Sequence, residues 1–201
     1  MIYPIYGYGH SVLKKVAEDI DENFEALDKL IADMFETMYD SNGVGLACPQ
    51  IGKPIRIFII DTVQLEDDEE EAADKLKKGE EPFNNGVRKA FINPILIEES
   101  GKEWDYEEGC LSIPDITGDV SRKPKIVIEY YNEKFELLEE TYDGMNARVI
   151  QHEYDHLEGI LFTEHLKPLK RRLIKRKLDN IKKGKVDVEY KMKFVGEKKK
   201  R

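Results

Sequence analysis

The string Gln-His-Glu-Tyr-Asp-His-Leu-Glu-Gly at residues 151–159 constrains this chain more than any other stretch. His152 and His156 are four positions apart, and on an α-helix this spacing places both imidazoles on one face, where they can bind one divalent metal ion. Glu153 projects about 100° to the side, so it is placed to act on a water molecule at the metal. The string therefore predicts a helix that carries two metal ligands and a general base.

A catalytic metal site of this kind needs a third protein ligand and one position open to water. The best candidate is Cys110, because glycine and turn-forming residues flank it in Glu-Gly-Cys-Leu-Ser-Ile-Pro at 108–114, so that its thiol can project from a loop or strand end. A lone cysteine is by default a buried, inert side chain, and we assign that role to Cys48. Two cysteines are too few for a disulfide scaffold, and both are expected as thiols.

The length and composition are those of one globular domain. A chain of 201 residues with 40% hydrophobic and 36% charged residues can bury one core without a second domain. No apolar run approaches the roughly 18 residues that a membrane helix requires. The first ten residues also lack the basic and apolar regions of a signal peptide. We therefore expect a cytoplasmic protein with no membrane partner, and we expect a monomer.

The net charge of -9 is unevenly distributed along the chain. Residues 167–201 contain 16 Lys or Arg against 4 Asp or Glu, a balance of +12, whereas residues 1–166 contain 16 against 37, a balance of -21. Such a basic tail is often simply solvated, but it can also bind nucleic acid or another polyanion. We assign residues 1–166 to a catalytic domain and residues 167–201 to a basic C-terminal helix and tail.

Hydrophobic periodicity predicts helices and strands in alternation. Apolar residues recur at three- and four-residue steps between residues 21 and 39, which indicates a helix with one buried face. The acidic segment at 64–86 self-repels and is interpreted as a surface excursion. The other predicted elements are strands at 55–61 and 90–98, a β-hairpin of 125–131 and 135–142, the metal-binding helix, an amphipathic basic helix at 166–181 and a short strand at 186–190. Together they predict an α+β fold, with antiparallel β-sheets packed around a central metal-binding helix and with an N-terminal and a C-terminal helix.

A glycine-punctuated loop occupies residues 43–52. It is not a phosphate-binding loop, because no helix pattern follows it and no Lys-Ser/Thr pair closes it. Its glycines allow a backbone or a ligand to approach closely. Gln50 has the one side-chain amide in the loop, and it can either donate a hydrogen bond to a substrate oxygen or hold the loop in place. The sequence alone leaves both roles open.

Three separated motifs stand out: Gly-Val-Gly-Leu-Ala-Cys-Pro-Gln at residues 43–50, Glu-Gly-Cys-Leu-Ser at 108–112 and Gln-His-Glu-Tyr-Asp-His-Leu at 151–157. In this order they resemble the three motifs of peptide deformylase, and chance coincidence of all three is negligible. The resemblance implies hydrolysis of the N-formyl group from the initiator methionine of new polypeptides, with release of formate. N-formylmethionyl peptides would be the substrates.

The resemblance also implies a role for each motif residue. Cys110, His152 and His156 would bind one divalent metal ion, which in the family is typically Fe²⁺, with Zn²⁺, Ni²⁺ or Co²⁺ able to substitute. Glu153 would be the general acid and base. The implied oxyanion donors are Gln50 and the backbone N–H of Leu111, and the residues implied beside the substrate are Val44, Gly45 and Gly109.

Three departures and one further partner belong to the same resemblance. The acidic segment at 64–86 is longer than in many members of the family. Cys48 stands where the family usually has alanine, a change between small residues that should be tolerated. Thr117 stands where some members have an arginine that helps to hold the peptide. In the family the C-terminal basic helix can dock on the ribosome near the exit tunnel, and residues 166–181 with the lysines that follow would suit that role.

Two other functions compete with a deformylase. A zinc-dependent protease uses the same helix string, but its third ligand lies downstream as histidine or glutamate, whereas Cys110 lies upstream. A metal-stabilised binding protein would use four protein ligands in a closed site, whereas Glu153 beside an open coordination position favours catalysis. Formate release from a formyl-Met peptide, measured beside cleavage of an unformylated peptide, separates the three.

Overall fold

The computed structural model of the protein describes residues 1–65 and 85–196. The acidic excursion predicted at 64–86 lies almost wholly outside these residues. The described part of the chain forms three α-helices and nine β-strands, which are β1 (Ile5–Tyr6), α1 (Leu27–Asp40), β2 (Gly45–Ala47), β3 (Ile57–Asp61), β4 (Arg88–Ser100), β5 (Trp104–Cys110), β6 (Ile113–Arg122), β7 (Lys125–Tyr131), β8 (Leu137–Asp143), α2 (Gly144–Leu157), α3 (Pro168–Lys182) and β9 (Met192–Lys193).

The strands form three sheets. The largest is an antiparallel sheet in the order β2-β3-β4-β7-β8, and β5 with β6 forms a second antiparallel pair. The third sheet joins distant parts of the chain, because β1 and β9 pair in parallel. The α+β architecture predicted from the sequence is thereby confirmed, with this short parallel pair as an addition to the expected antiparallel sheets.

Strand β3 packs against a helix on each face of the large sheet. Its five residues are all buried, so they show no alternation of apolar and polar side chains. Ile57 and Ile59 pack with α1 in one apolar cluster, whereas Phe58 and Ile60 pack with α2 in another. The five-stranded sheet therefore lies between α1 and α2. One face of α2 is held in place because it packs against the buried side chains of this sheet.

The β5–β6 pair and α3 enclose a third apolar cluster. Ile113 and Val120 of β6 pack there with Ile174 and Ile181, the two buried residues of α3. Leu166, just before α3, packs into the same cluster. The basic helix predicted at 166–181 is thus confirmed, with one narrow face buried and its charged side chains exposed.

Several element boundaries differ from the sequence predictions. Helix α1 begins at Leu27 instead of residue 21, because Ala26 has a left-handed φ of 57° and Asp21 instead accepts hydrogen bonds within a preceding turn. Strand β6 was not predicted, because Pro114 and Gly118 interrupt its apolar pattern. The strand predicted at 186–190 is wrong: the chain pairs two residues later, as β9.

Candidate active site

The three predicted metal ligands come together at one point. Cys110 ends β5, while His152 and His156 lie on successive turns of α2. One donor atom from each lies within 4.8 Å of the other two, and Cys110 Sγ is 3.3 Å from His156 Nε2. Ligands that bind one ion at about 2.0–2.3 Å are separated by similar distances. One sulfur and two imidazole nitrogens therefore fit a transition metal ion such as zinc or iron.

The Cys110 thiol is prepared to bind a cation. Burial alone would raise its pKa, but the adjacent His156 and His152 outweigh burial and bring the pKa to about 5. The thiolate is the form of cysteine that binds metals. Cys48 differs, because it is fully buried in the α1 cluster and burial raises its pKa without such neighbours. Its predicted role in packing agrees with this position.

Glu108 orients His152, the first of the two histidines predicted as metal ligands. Its Oε2 accepts a hydrogen bond of 2.9 Å from His152 Nδ1, which leaves His152 Nε2 available to a metal. Burial opposes ionisation of Glu108, but the hydrogen bonds from His152 and Arg122 outweigh it and hold the pKa of this carboxyl well below its usual range. The carboxylate is therefore charged and keeps the imidazole in one orientation.

Two buried arginines balance the charge of Glu108. Arg122 donates from Nε and Nη2 at 2.7 and 3.0 Å, and Arg148 donates from Nη1 at 2.8 Å. Arg148 also stacks 4.1 Å from the ring of Trp104 and lies on the wall of the pocket. No role was predicted for Arg122 or Arg148 from the sequence. A signal was present, since Glu108 opens the cysteine motif and Arg148 lies four residues before His152 on the same helix face.

Glu153 lies beside the ligands but is not one of them. Its side chain is buried, and its Oε2 atom has no hydrogen-bond partner among the described residues. Burial raises the pKa of Glu153 to about 7, although the two histidines act in the opposite direction. A carboxyl group with such a pKa can accept and return a proton near neutral pH.

Gly45 explains part of the glycine motif. A Cβ atom at this position would lie 2.8 Å from the Cγ and Cδ atoms of Glu153. Strand β2 and α2 can therefore pack this closely only with glycine at residue 45. At residue 45, the group that approaches the glycine closely is the Glu153 side chain.

Gln50 holds the glycine-containing loop, which is one of the two roles that its sequence allowed. Its Oε1 accepts a hydrogen bond of 2.7 Å from the Ala47 N–H, which holds the loop. Its Nε2 faces the metal ligands, 3.6 Å from Cys110 Sγ and 3.4 Å from Ser112 Oγ. The amide is thus anchored at one end and presented to the site at the other.

A cavity of about 420 Å³ opens beside these groups. Its walls include Val44, Gly45 and Gly109, the residues for which a substrate contact is predicted, and also Leu111. Thr117 also lies on its wall. The lining residues that the sequence analysis did not identify include Tyr106, Met145, Arg148, Val149 and Tyr190.

The sequence and the fold of this chain are similar to those of known proteins. The sequence model of the family described as Polypeptide deformylase matches residues 2–172. The chain belongs to this family. It is 56% identical over 201 residues to a peptide deformylase of Christiangramia forsetii, with all of both chains covered, and 52% identical to one of Flavobacterium johnsoniae, with 99% of each covered. A crystal structure of a peptide deformylase from Legionella pneumophila has a TM-score of 0.75 at 36% identity and covers 92% of this chain and 98% of its own.

Membership in the deformylase family confirms the reaction predicted from the motifs. The chain is a metal-dependent hydrolase that removes N-formyl groups from new polypeptides. Within residues 1–65 and 85–196, no helix is both long enough and apolar enough to cross a membrane.

Proposed function

We propose that this deformylase uses Cys110, His152 and His156 to hold its metal ion and Glu153 to move the proton. The observation that supports this assignment is the position of the Glu153 carboxyl group. It is buried, its Oε2 atom has no hydrogen-bond partner within residues 1–65 and 85–196, and it lines the same cavity as the cysteine and His152. A divalent ion bound by the three ligands supplies Lewis-acid chemistry, which polarises oxygen and lowers the pKa of water.

Glu153 and the oxyanion donors account for the remaining steps. Glu153 accepts a proton from the attacking water and delivers it to the departing amine, as the bond between the formyl carbon and nitrogen breaks and formate leaves. Gln50 Nε2 and the Leu111 N–H stabilise the negative charge that develops on the formyl oxygen. Each such donor is worth about 3 kcal/mol in related acyl-transfer sites.

The cavity is suited to a flexible apolar side chain such as methionine. Val44, Leu111, Met145 and Val149 supply apolar surface on its walls. Unbranched thioether side chains adapt to walls of this kind. Gly45 and Gly109 present backbone without side chains, so an extended peptide can lie against them.

The assignment of the reaction is tested with a matched pair of peptides. Formate release from a formyl-Met peptide is measured beside cleavage of the unformylated peptide of the same sequence. We expect formate and an intact peptide bond. Cleavage of the unformylated peptide alone would indicate a protease, and activity on neither substrate would favour a binding protein.

We propose Fe²⁺ as the physiological metal, with Zn²⁺, Ni²⁺ and Co²⁺ as substitutes. A thiolate with two imidazoles accepts all of these ions, so the donor set does not choose among them. Metal analysis of protein purified without oxygen tests the proposal. About one iron per chain is expected, and one zinc per chain from the same preparation would contradict it.

We also propose that the basic α3 docks this enzyme on the ribosome, where its substrates emerge. Its side chains at 171, 172, 175, 176 and 177 are all basic and exposed. Docking on ribosomes would require a cytoplasmic location, which we also propose. We propose a monomeric state as well, because a monomer leaves α3 free to bind. The boundary between a catalytic domain at 1–166 and a basic segment at 167–201 remains a prediction.

A further inference from the structure

The segment that follows α3 returns to the active site. It pairs with β1 through the hydrogen bonds Ile5 N–H to Lys191 O at 2.8 Å and Gly7 N–H to Lys193 O at 2.9 Å. This pairing places Tyr190 on the wall of the catalytic cavity. A residue far along the chain from the three motifs thus reaches the proposed catalytic groups.

Tyr190 contacts the turn that carries a proposed oxyanion donor. Cys110 and Ile113 are paired across β5 and β6, so Leu111 and Ser112 form a two-residue turn between the strands. The Tyr190 hydroxyl donates a hydrogen bond of 2.8 Å to the Leu111 carbonyl oxygen. That oxygen belongs to the central peptide of the turn.

The central peptide is the mobile part of a two-residue turn. Common turn types differ chiefly by a flip of this peptide, which reverses the direction of its carbonyl group. The Leu111 N–H belongs to the preceding peptide, between Cys110 and Leu111, and the two peptides share the Leu111 Cα atom. A hydrogen bond that holds the Leu111 carbonyl oxygen therefore limits rotation about both backbone bonds of Leu111 and restrains its N–H. The hydrogen bond from Tyr190 opposes the flip on one side of the turn, and the Tyr8 N–H, which donates to Ser112 O at 2.8 Å, fixes the other side.

The hydroxyl of Tyr190 is a dependable donor. Burial raises the pKa of Tyr190, and the negative charges of Cys110 and Asp115 raise it further. The hydroxyl therefore stays protonated throughout the range in which an enzyme of this kind works. Its ring is held as well, since it packs against the apolar cluster beneath α1.

We propose that Tyr190 is a positioning residue for the oxyanion donor, because it holds the central peptide of the Leu111-Ser112 turn in one orientation. The proposal rests on the proposed function, in which the Leu111 N–H stabilises the oxyanion. It assigns to the segment after α3 a part in catalysis as well as in packing.

The test compares two substitutions that each remove one tyrosine hydroxyl. Tyr190→Phe keeps the ring but removes the donor to Leu111. Tyr6→Phe is the matched control, because the Tyr6 hydroxyl accepts a 3.0 Å hydrogen bond from Lys193 and so ties the same segment to β1 away from the turn. Metal content and thermal unfolding are measured for both variants, so that a folding defect is recognised.

We expect Tyr190→Phe to lower kcat about five- to tenfold, the effect of one lost hydrogen bond expressed in the transition state, while KM changes less than twofold. Tyr6→Phe should leave kcat unchanged. Hydrogen exchange of the peptide that contains residues 110–114 should be faster in Tyr190→Phe than in Tyr6→Phe, and this readout does not depend on activity.

Three results would overturn the proposal. One is an unchanged kcat and unchanged exchange in Tyr190→Phe. Another is an equal fall in kcat for both variants, which would assign the effect to docking of the segment. The third is a raised KM at constant kcat, which would make Tyr190 a substrate contact. Failure of the proposed function is seen separately, as absence of formate from the wild type.

Discussion

The active site depends on residues that contact its catalytic groups without taking part in the chemistry. Glu108 orients His152, and Gly45 provides the space that Glu153 occupies. Both residues lie within the sequence motifs, yet their functions become apparent only from distances between β2, β5 and α2. Motifs of this kind therefore include residues that pack around the catalytic groups as well as the catalytic groups themselves.

Glu153→Gln should retain the metal and lose turnover. The amide fills the same space but cannot accept a proton, and loss of a general acid or base typically costs about 10²- to 10⁴-fold in rate. Metal content and kcat are measured together. Glu158→Gln is the control, because Glu158 pairs with Arg56 away from the cavity. Substantial activity in Glu153→Gln would contradict the proposed role.

Gly45→Ala should lower kcat about 10²-fold by displacing Glu153. The added methyl group would lie 2.8 Å from the glutamate side chain, so that chain must shift, and a displacement of about 1 Å can cost this much. A double-mutant cycle identifies the cause. In the Glu153→Gln background, Gly45→Ala should cause little further loss, and a full additional 10²-fold loss would show that alanine acts elsewhere.

Among the elements, the five-stranded sheet contains one polar cluster that joins β4, β7 and β8. Lys89 contacts Glu140 at 2.6 Å, and the hydroxyls of Tyr130 and Tyr142 donate to the same carboxylate. Burial opposes ionisation of Glu140, but the hydrogen bonds from Lys89, Tyr142 and Tyr130 outweigh it and hold the pKa of this carboxyl below its usual range.

Glu140→Gln should therefore lower the free energy of unfolding at neutral pH by about 1 kcal/mol. A larger effect is not expected, because the carboxylate is about one-third exposed and solvent screens its interactions. A lowered pKa in the folded state stabilises the fold above the unfolded pKa of about 4.3. The stabilisation is lost as the pH falls through the folded pKa, so the two unfolding curves should converge below about pH 4. Exposed Glu139→Gln is the control. A difference that persists at low pH would contradict an electrostatic cause.

The sequence predicted elements where local pattern decides structure. The hairpin of β7 and β8, the metal-binding helix and its end near Gly159 follow from periodicity and turn residues. Strand β6 was missed because Pro114 and Gly118 interrupt its apolar pattern. The position of β9 depends on β1, which lies 187 residues away by its register. The meeting of Cys110, His152 and His156 was predictable, because the histidines are spaced for one helix face and glycine and turn-forming residues flank the cysteine. The contact of Tyr190 with Leu111 arises instead from tertiary pairing.

At the scale of the whole molecule, the uneven charge has a structural counterpart. The exposed face of α3 is basic, and its buried face packs against apolar side chains of β6. Deleting the segment after α3 would be an ambiguous test of ribosome docking, because it would also remove β9 and Tyr190. Substitution of exposed charges on α3 leaves that packing intact.

Reversing Arg172 and Arg176 to glutamate should weaken cosedimentation with ribosomes at low salt and reduce its salt dependence, because fewer phosphates are neutralised. Deformylation of a free peptide should be unchanged. The same reversal at exposed Lys125 and Lys134, on the β7–β8 hairpin, is the control for net charge. Equal weakening in both double variants, or binding unaffected by the α3 variant, would contradict docking through α3.

The pairing of β1 with β9 also sets an order of events during synthesis. Strand β1 leaves the ribosome long before its partner at Met192–Lys193, which is translated 187 residues later. The three motifs can meet once residue 157 has emerged, whereas the Tyr190 contact must wait for 33 more residues, from 157 to 190. A growing chain of this enzyme should therefore reach full activity only after residue 190 has emerged, well after Cys110, His152 and His156 have come together.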